Sequence, residues 1–473
     1  MNFRVIILLL LTTPVFAQQK ASVSNLRKVV EVLASDSLKG RAYKSEEIKL
    51  AREYIIENFQ KVGLKPYGNS FEHKVSWHEQ LDGNQEVTNI VGYIEGSDAK
   101  LKDEFLVIGA HYDHVGYTAD GDTVIYNGAD DNASGVSGII ELARLLLSNN
   151  QRPARSILIV AFDAEEVGLV GSTKFVKNSP IPLDKIKAMM SVDMIGRADL
   201  INGVIFSGIG SLKGITISPS LFSSEKNREV KLVKSPSSMV FRTDTGPFFR
   251  KNIPALYIDT GLKGFYHKPE DDANTLDYEG MAFVVDNLKK LVEVIAEQPN
   301  VTFHNPIPTV ALGFTFGGGL NHFRLTSGGV DNKSTLTFNA GISSLIQLGK
   351  RSAIQSDVLL KAKTSRSAIG NIIMPSIFVP VHFMLISPYN SSRGFFGIGP
   401  YYSYSFQRYV SGDKMPMASK DKNDYGLSVM VGGIGMNNQV ALRCCYGFKR
   451  MMEDQPRMHY RSVELSFTKF LRY

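Results

Sequence analysis

Side chains able to do chemistry occur in five short segments of the first 270 residues. The first is Gly109-Ala110-His111-Tyr112-Asp113-His114, at the end of an apolar run that starts at Phe105. An imidazole at His111 is a metal donor, and Asp113 is placed to hold such an imidazole by its other nitrogen. The second segment is Asn127-Gly128-Ala129-Asp130-Asp131-Asn132-Ala133-Ser134-Gly135. A carboxylate here has two oxygens and can bridge two cations, although Asp130, Asp131 and Asn132 equally suit the cap of a following helix. The third, Phe162-Asp163-Ala164-Glu165-Glu166-Val167-Gly168, has adjacent carboxylates that can divide labour. One ligates a metal while its neighbour takes a proton from an attacking water; the same pair would also complement the dipole of a first helical turn. The fourth is Ser191-Val192-Asp193-Met194. The fifth, Phe265-Tyr266-His267-Lys268-Pro269, offers a second imidazole at His267 and, at Tyr266, a phenol to donate to developing oxyanion charge.

Each segment alone has a structural explanation. Together they supply two His and three carboxylates as ligands, with a spare Glu as base and no Cys. Mixed nitrogen and oxygen ligation suits a borderline divalent metal, zinc first, and a pair of ions if one Asp bridges. Two such ions about 3.5–4 Å apart polarise a carbonyl and activate water together, which is the chemistry of amide or ester hydrolysis.

The elements that must position these side chains read as alternating strands and helices. Apolar residues recur at helical spacing over Glu47–Val62, with Gly63 as a stop, over Ala133–Leu147 and over Tyr278–Ala296. Short apolar runs at Val87–Ile94, Phe105–Ala110, Ser156–Phe162, Ala188–Val192 and Ala255–Ile258 suit buried strands. This alternation predicts an α/β fold, a mixed and mostly parallel sheet sandwiched by helices. In such sheets ligands gather at the carboxyl ends of the strands, and the five segments sit just after predicted strands.

The 473 residues suffice for two or three domains. With 43% hydrophobic and 21% charged residues, the composition excludes wholesale disorder. The 53 Lys+Arg exceed the 46 Asp+Glu by only seven, and no basic run of five or six occurs, so nucleic acid is not an expected partner. Cys444 and Cys445 are the only cysteines, which excludes a disulfide scaffold. Residues 1–17 read as a signal peptide, with Arg4, the apolar Val5–Leu11 and Val15-Phe16-Ala17 as cleavage site.

A Pro-rich linker is expected over 299–308, with Pro299, Pro306 and Pro308. Beyond it, 309–473 has no helical periodicity. About eight segments alternate apolar with small or polar residues, near 309–318, 334–347, 353–364, 374–387, 394–409, 424–434, 438–449 and 459–472. Connections around 319–333, 365–373, 410–423 and 450–458 read as long, those around 348–352, 388–393 and 435–437 as short. An all-β domain follows, an eight-stranded up-and-down barrel of outer-membrane type, with a soluble β-sandwich or lipocalin-like barrel as the alternative. Lys361 and Lys363 would then face the lumen or an interface.

The motifs AHYDH, NGADDNASG, FDAEEVGLVGS, SVDMIG and FYHKPEDD, in that order over about Leu33 to Ala296, resemble the M28 family of zinc peptidases, in particular the bacterial leucyl-aminopeptidase and aminopeptidase Y group. The resemblance implies a zinc-exopeptidase-like domain over 18–298 and a co-catalytic site with two zinc ions per chain. It makes His111 and Asp193 ligands of one zinc, Glu166 and His267 ligands of the other, and Asp131 the bridge. It makes Glu165 the general base and later proton donor, Asp113 the residue that orients His111, and Tyr266 the oxyanion donor. Arg242-Thr243-Asp244-Thr245 departs from the Ser-Asp-His or Ser-Asp-Gln of many relatives before Pro247-Phe248-Phe249, and the C-terminal segment is no part of the family core. The expectation is an exported exopeptidase acting on peptides, most simply an aminopeptidase, held in the outer membrane by its barrel with the peptidase in the periplasm. The alternatives are a single-zinc glutaminyl-peptide cyclotransferase of the same fold and a non-catalytic peptide-binding outer-membrane protein.

Overall fold

The computed structural model describes residues 19–79, 83–119, 123–148, 152–234, 242–304, 310–325, 334–349, 351–367, 370–387, 393–435, 438–448 and 458–471. The expected signal peptide lies outside them. The chain divides into two compact units, Met1–His304 and Asn305–Tyr473.

The first unit is built on one mixed sheet. Its strands are β1 (Glu72–Glu79), β2 (Gly83–Ile94), β3 (Phe105–His111), β4 (Ser156–Phe162), β5 (Ile186–Val192), β6 (Gly203–Ser207), β7 (Glu229–Val233) and β8 (Ala255–Asp259), with Lys65–Pro66 at one edge. The order from that edge is β2, β4, β3, β5, β8, β6, β7, and β1 pairs with β2. The four central strands, β4, β3, β5 and β8, run parallel, while β2 and β6 join them antiparallel. Parallel order needs crossovers, and the helices supply them. These are α1 (Val23–Leu33), α2 (Glu46–Lys61), α3 (Gly135–Ser148), α4 (Val170–Lys177), α5 (Thr245–Arg250) and α6 (Tyr278–Glu297).

Alternation along each central strand fills two cores. Leu106, Ile108, Ile157, Ile159, Met190 and Ile258 pack with α1, α2, α3 and α6 on one face. Val107, Leu158, Val160, Phe162 and Met189 pack with α4 and α5 on the other. Both faces are covered, which is why these strands read as unbroken apolar runs. Strands β1, β6 and β7 are shorter or more polar and have no such signature. Residues 299–304, placed in the linker by their prolines, close onto this unit: Thr302–Phe303 pairs antiparallel with Leu212–Lys213, and Arg155 Nη2 donates to the Pro299 carbonyl at 3.2 Å.

The second unit is a closed antiparallel barrel of eight strands: β9 (Val310–Leu325), β10 (Thr335–Gly349), β11 (Ser352–Ser367), β12 (Gly370–Ile386), β13 (Arg393–Ser405), β14 (Asn423–Ile434), β15 (Asn438–Gly447) and β16 (Met458–Phe470). Each pairs with the next, and β16 returns to β9 over Gly313↔Phe470 to Leu325↔Met458. Strands β9, β11 and β12 are longer than their sequence pattern predicts. Because β11 runs to Ser367 and β12 starts at Gly370, the long connection expected over 365–373 is mostly strand, held by pairs from Thr364↔Ile373 to Ser367↔Gly370. The expected run 394–409 ends at Ser405, and Arg408–Val410 forms a small hairpin with Asp413–Met415 that pairs with the start of β12.

The barrel's polarity is inverted relative to a water-soluble core. Phe338 (70% exposed), Leu360 (65%) and Leu465 (59%) face outward, while Asp357, Lys363, Asp424 and Glu464 are 0–1% exposed. Lys361 and Lys363 point inward and pair with Glu464 and Asp424, and Arg443 pairs with Asp357. Asn339 donates to Glu464 at 2.8 Å, and Tyr401 to Asp424 at 3.1 Å. The interior is therefore filled by ion pairs and amides together with apolar side chains such as Met374, Phe378 and Met430, as an eight-stranded barrel with no room for a channel requires. Cys444 faces out and Cys445 in, and both are free thiols.

The parallel strands carry the stability of the first unit. Phe162, fully buried on β4 and packed edge-on against Phe175, should cost about 3–5 kcal/mol as Phe162→Ala. The only tryptophan, Trp77, lies on β1, so urea unfolding followed by its fluorescence reports this unit; a loss under 1 kcal/mol would contradict the packing.

Candidate metal centre and active site

Four parallel strands end on the same edge of the sheet, and their exits bring the site together. His111 is the last residue of β3, Asp193 follows β5, Glu165 and Glu166 follow β4, and His267 lies on the loop after β8. Asp131 comes from the irregular segment before α3, where the Asp131–Asn132 peptide is cis. Three site positions have left-handed backbone: Ala164 (φ 55°), Met194 (φ 54°) and His267 (φ 51°). Such conformations cost non-glycine residues about 1–2 kcal/mol, so the surrounding packing imposes them to aim the neighbouring side chains.

The five expected ligands converge. His111 Nε2 lies 3.2 Å from Asp131 Oδ1 and 3.4 Å from Asp193 Oδ1. On the other side of the same carboxylate, His267 Nε2 lies 3.2 Å from Asp131 Oδ2 and 3.1 Å from Glu166 Oε2. Asp131 thus presents one oxygen to each of two donor groups. His267 Nε2 and Asp193 Oδ1 are buried and make no hydrogen bond among the described residues. Donor atoms crowded to contact distance without sharing a proton are lone pairs aimed at a common point, which a cation resolves. The set is nitrogen and oxygen only, so it fits zinc.

Electrostatics point the same way. Asp113, Asp131, Asp193, Asp244, Glu165 and Glu166 sit close together, the four Asp buried and the two Glu largely so. Burial pushes the Glu165 carboxyl well above its usual range, and the Asp244, Asp193 and Asp113 carboxylates push it further. Burial likewise raises Asp193, and lifts Asp244 to about 7. Burial alone would raise Asp131 too, yet His111, His267 and His114 hold it far below its ordinary value. Tyr266, half exposed and stacked on His267 at 3.9 Å, is pushed up to about 12 by burial and the nearby carboxylates, so it remains a neutral phenol donor.

Asp113 acts differently from the expectation. The nearer partner of His111 Nδ1 is the Asp113 main-chain oxygen at 3.1 Å; the Asp113 carboxylate is 3.6 Å away. That carboxylate instead accepts from the Glu165 and Glu166 amides at 2.9 and 3.1 Å. Since β3 and β4 are in parallel register at His111↔Phe162, a side chain two residues past β3 meets the turn leaving β4. Of the bland alternatives, the acidic first helical turn is not realised, and the helix cap is realised at Asn132 alone. Helix α4 starts at Val170, beyond Glu165 and Glu166. Asn132, not Asp131, accepts from Gly135 at the start of α3.

Sequence reading missed the residues that hold these loops. Asp271 accepts from the Asp130 and Asp131 amides at 2.9 and 3.1 Å. Asn132 Oδ1 also accepts from the Met194 amide at 3.2 Å, tying the Asp131 segment to the exit of β5. A Cβ on Gly135 would lie 2.2 Å from that oxygen, so glycine is required there. Tyr257 on β8 donates to Asp193 Oδ2 at 3.3 Å. Buried His114 lies beside Glu166, Nδ1 to Oε1 3.0 Å. Buried Arg41 donates to four carbonyls: Leu33, Tyr112 (2.9 Å), Asn127 (2.7 Å) and Gly128 (3.0 Å). It joins the two segments that carry His111 and Asp131. The signal for Arg41 and Asp271 is not local, because their partners in the His111 and Asp131 segments lie 71 and 140 residues away or more.

Arg41→Ala should therefore lower stability by about 3–5 kcal/mol, since four buried carbonyls lose a charged donor. Arg41→Lys should not restore it, because an ammonium cannot span the four acceptors. Trp77-monitored unfolding at saturating zinc checks this; wild-type stability for either variant would show the contact to be dispensable.

Residues 89–292, inside the first unit, match the profile of Peptidase family M28. The chain is 29% identical over 304 residues to the "Uncharacterized protein YfbL" of Escherichia coli (strain K12), covering 58% of this chain and 88% of that one. It is 24% identical over 302 residues to a "Probable zinc metalloprotease" of Pyrenophora tritici-repentis, covering 60% and 66%. It is 33% identical over 174 residues to an "Aminopeptidase" of Pseudomonas aeruginosa (strain UCBPP-PA14), covering 36% of this chain and 30% of that one.

Proposed function

We propose, from the match of residues 89–292 to Peptidase family M28, that the first unit is a zinc peptidase domain and the protein a dizinc exopeptidase, an aminopeptidase, anchored in the outer membrane by its barrel. The observation that carries the reading is the Asp131 carboxylate, one oxygen towards His111 and Asp193 and the other towards Glu166 and His267. In this reading His111 and Asp193 would hold one zinc, Glu166 and His267 would hold the second, and Asp131 would be shared.

Zinc bound there supplies Lewis acidity to the peptide carbonyl and to water. Glu165 accepts a proton from the attacking water as the carbon–oxygen bond forms, then passes it to the leaving amine as the carbon–nitrogen bond breaks. Its raised affinity for a proton, set by burial among carboxylates, suits a group that must hold and release one in a single cycle. Tyr266 donates to the oxygen that gains charge. The surplus of carboxylates favours a free α-ammonium over a carboxylate, which supports trimming from the amino end. Exposed Val115, Val167, Leu262 and Tyr266 flank the site segments and favour apolar side chains beside the scissile bond.

The inverted polarity of the barrel supports a lipid surround. None of the described helices is long and apolar enough to cross a membrane; in this reading the barrel strands would cross it. An even number of strands returns both ends of the barrel to one side, which supports a periplasmic peptidase if that side is the one with the short turns.

Glu165→Gln should lower kcat by about 10²–10⁴ with zinc content unchanged; an unaltered rate would remove Glu165 as base. Peptides with free amino ends should be cleaved, and acetylated ones spared, in a reaction that stops on chelation. Equal cleavage of both would overturn the aminopeptidase assignment. Cyclisation of an N-terminal Gln at one zinc per chain would favour the cyclotransferase instead.

The full-length chain should fractionate with outer membranes. Leu360→Lys and Phe338→Lys should each destabilise insertion by up to about 2–4 kcal/mol, depending on depth. Recovery of wild type in the soluble periplasmic fraction would contradict anchoring.

A further inference from the structure

His114 is a buried imidazole, 1% exposed, that none of the roles above uses. Its main-chain amide donates to the Arg41 carbonyl at 3.2 Å, and its ring stands edge-on to His267 with centroids 5.6 Å apart. The ring also rests on Gly128, where a Cβ would come within 2.5 Å of His114 Cδ2. The imidazole therefore has one seat. In that seat Nδ1 lies 3.0 Å from Glu166 Oε1 in hydrogen-bonding geometry. The other Glu166 oxygen, Oε2, faces His267 Nε2 at 3.1 Å.

Nδ1 belongs to the same group of donor atoms as Asp131, Glu166 and His267, so it has two possible uses. A ligand needs a lone pair at Nδ1. An ionised carboxylate, however, only accepts hydrogen bonds, so contact with Glu166 Oε1 requires the proton to sit on Nδ1. The contact to Asp131 Oδ2 is longer, 3.8 Å. The hydrogen bond decides between the two uses.

Building on the dizinc reading above, we propose that His114 is a positioning residue that occupies Glu166 Oε1 through Nδ1–H and so presents Oε2, in a fixed orientation, to the zinc shared with His267. Without it, Glu166 Oε1 loses its imidazole partner and the carboxylate can rotate about its terminal torsion, which is broad for carboxylates. The zinc shared by His111 and Asp193 has no such dependence.

The test is a zinc titration of the full-length, metal-stripped protein against a chromophoric chelator, with kcat measured at each occupancy. Wild type should take up two ions. His114→Ala should bind one of them about 10–100-fold more weakly, the usual loss for a partner of a metal-ligating side chain. Its kcat should recover at saturating zinc. His114→Asn places an amide N–H where Nδ1 stood and should restore affinity to within a few-fold. Unchanged affinity in His114→Ala would overturn the proposal, and so would Asn behaving no better than Ala while Trp77 fluorescence shows a folded chain. If Co(II) replaces zinc and His114→Asn alters the visible ligand-field bands, His114 is a ligand and the proposal is wrong. Failure of the wild type to bind zinc would instead overturn the dizinc reading itself.

Discussion

Burying many carboxylates in one small volume is the constraint around which the first unit is organised. Asp131 lies at its centre, with imidazoles on both of its oxygens and further acids behind them. Like charges that close in a low dielectric repel strongly, and each would rather be protonated or in water. The arrangement is coherent only if positive charge enters it. The sheet brings the donors together because four parallel strands discharge their carboxyl ends at one edge. An antiparallel neighbour would send every second segment to the far side.

The irregular loops at that edge are held from behind. Arg41 fastens two of them through carbonyls, Asp271 binds the amides of Asp130 and Asp131, and Asp113 binds those of both glutamates. In each case a charged side chain satisfies main-chain groups that no strand or helix could pair. This restrains the ligand atoms before any metal arrives, and it explains how left-handed backbone at Ala164, Met194 and His267 is sustained.

The second unit meets the opposite condition. Its outward faces carry Phe, Leu, Ile and Val, and its inward faces carry ion pairs and amides. In water that surface would be a large aggregation liability. Against hydrocarbon it is the favourable state, and closure of β16 onto β9 removes the edges that lipid could not solvate. Buried pairs such as Lys363–Asp424 satisfy one another without solvent.

Sequence by itself determined the five clustered donor side chains, the central strands and the period-two pattern of the barrel. Ligand chemistry depends on residue type, and a strand covered on both faces has a local apolar signature in β3, β4, β5 and β8. It also determined that Lys361 and Lys363 needed an inward or interfacial position. What it could not determine depends on contacts between distant segments. The turn of Asp113 towards the glutamate amides follows from the register of β3 with β4. The roles of Arg41, Asp271 and His114 follow from loops meeting in space. The 365–373 connection became strand because pairing with a neighbour, rather than local composition, decides where a polar ribbon ends. Hydrogen bonds and packing across tens of residues leave no periodic trace in the chain, so only the tertiary structure assigned them.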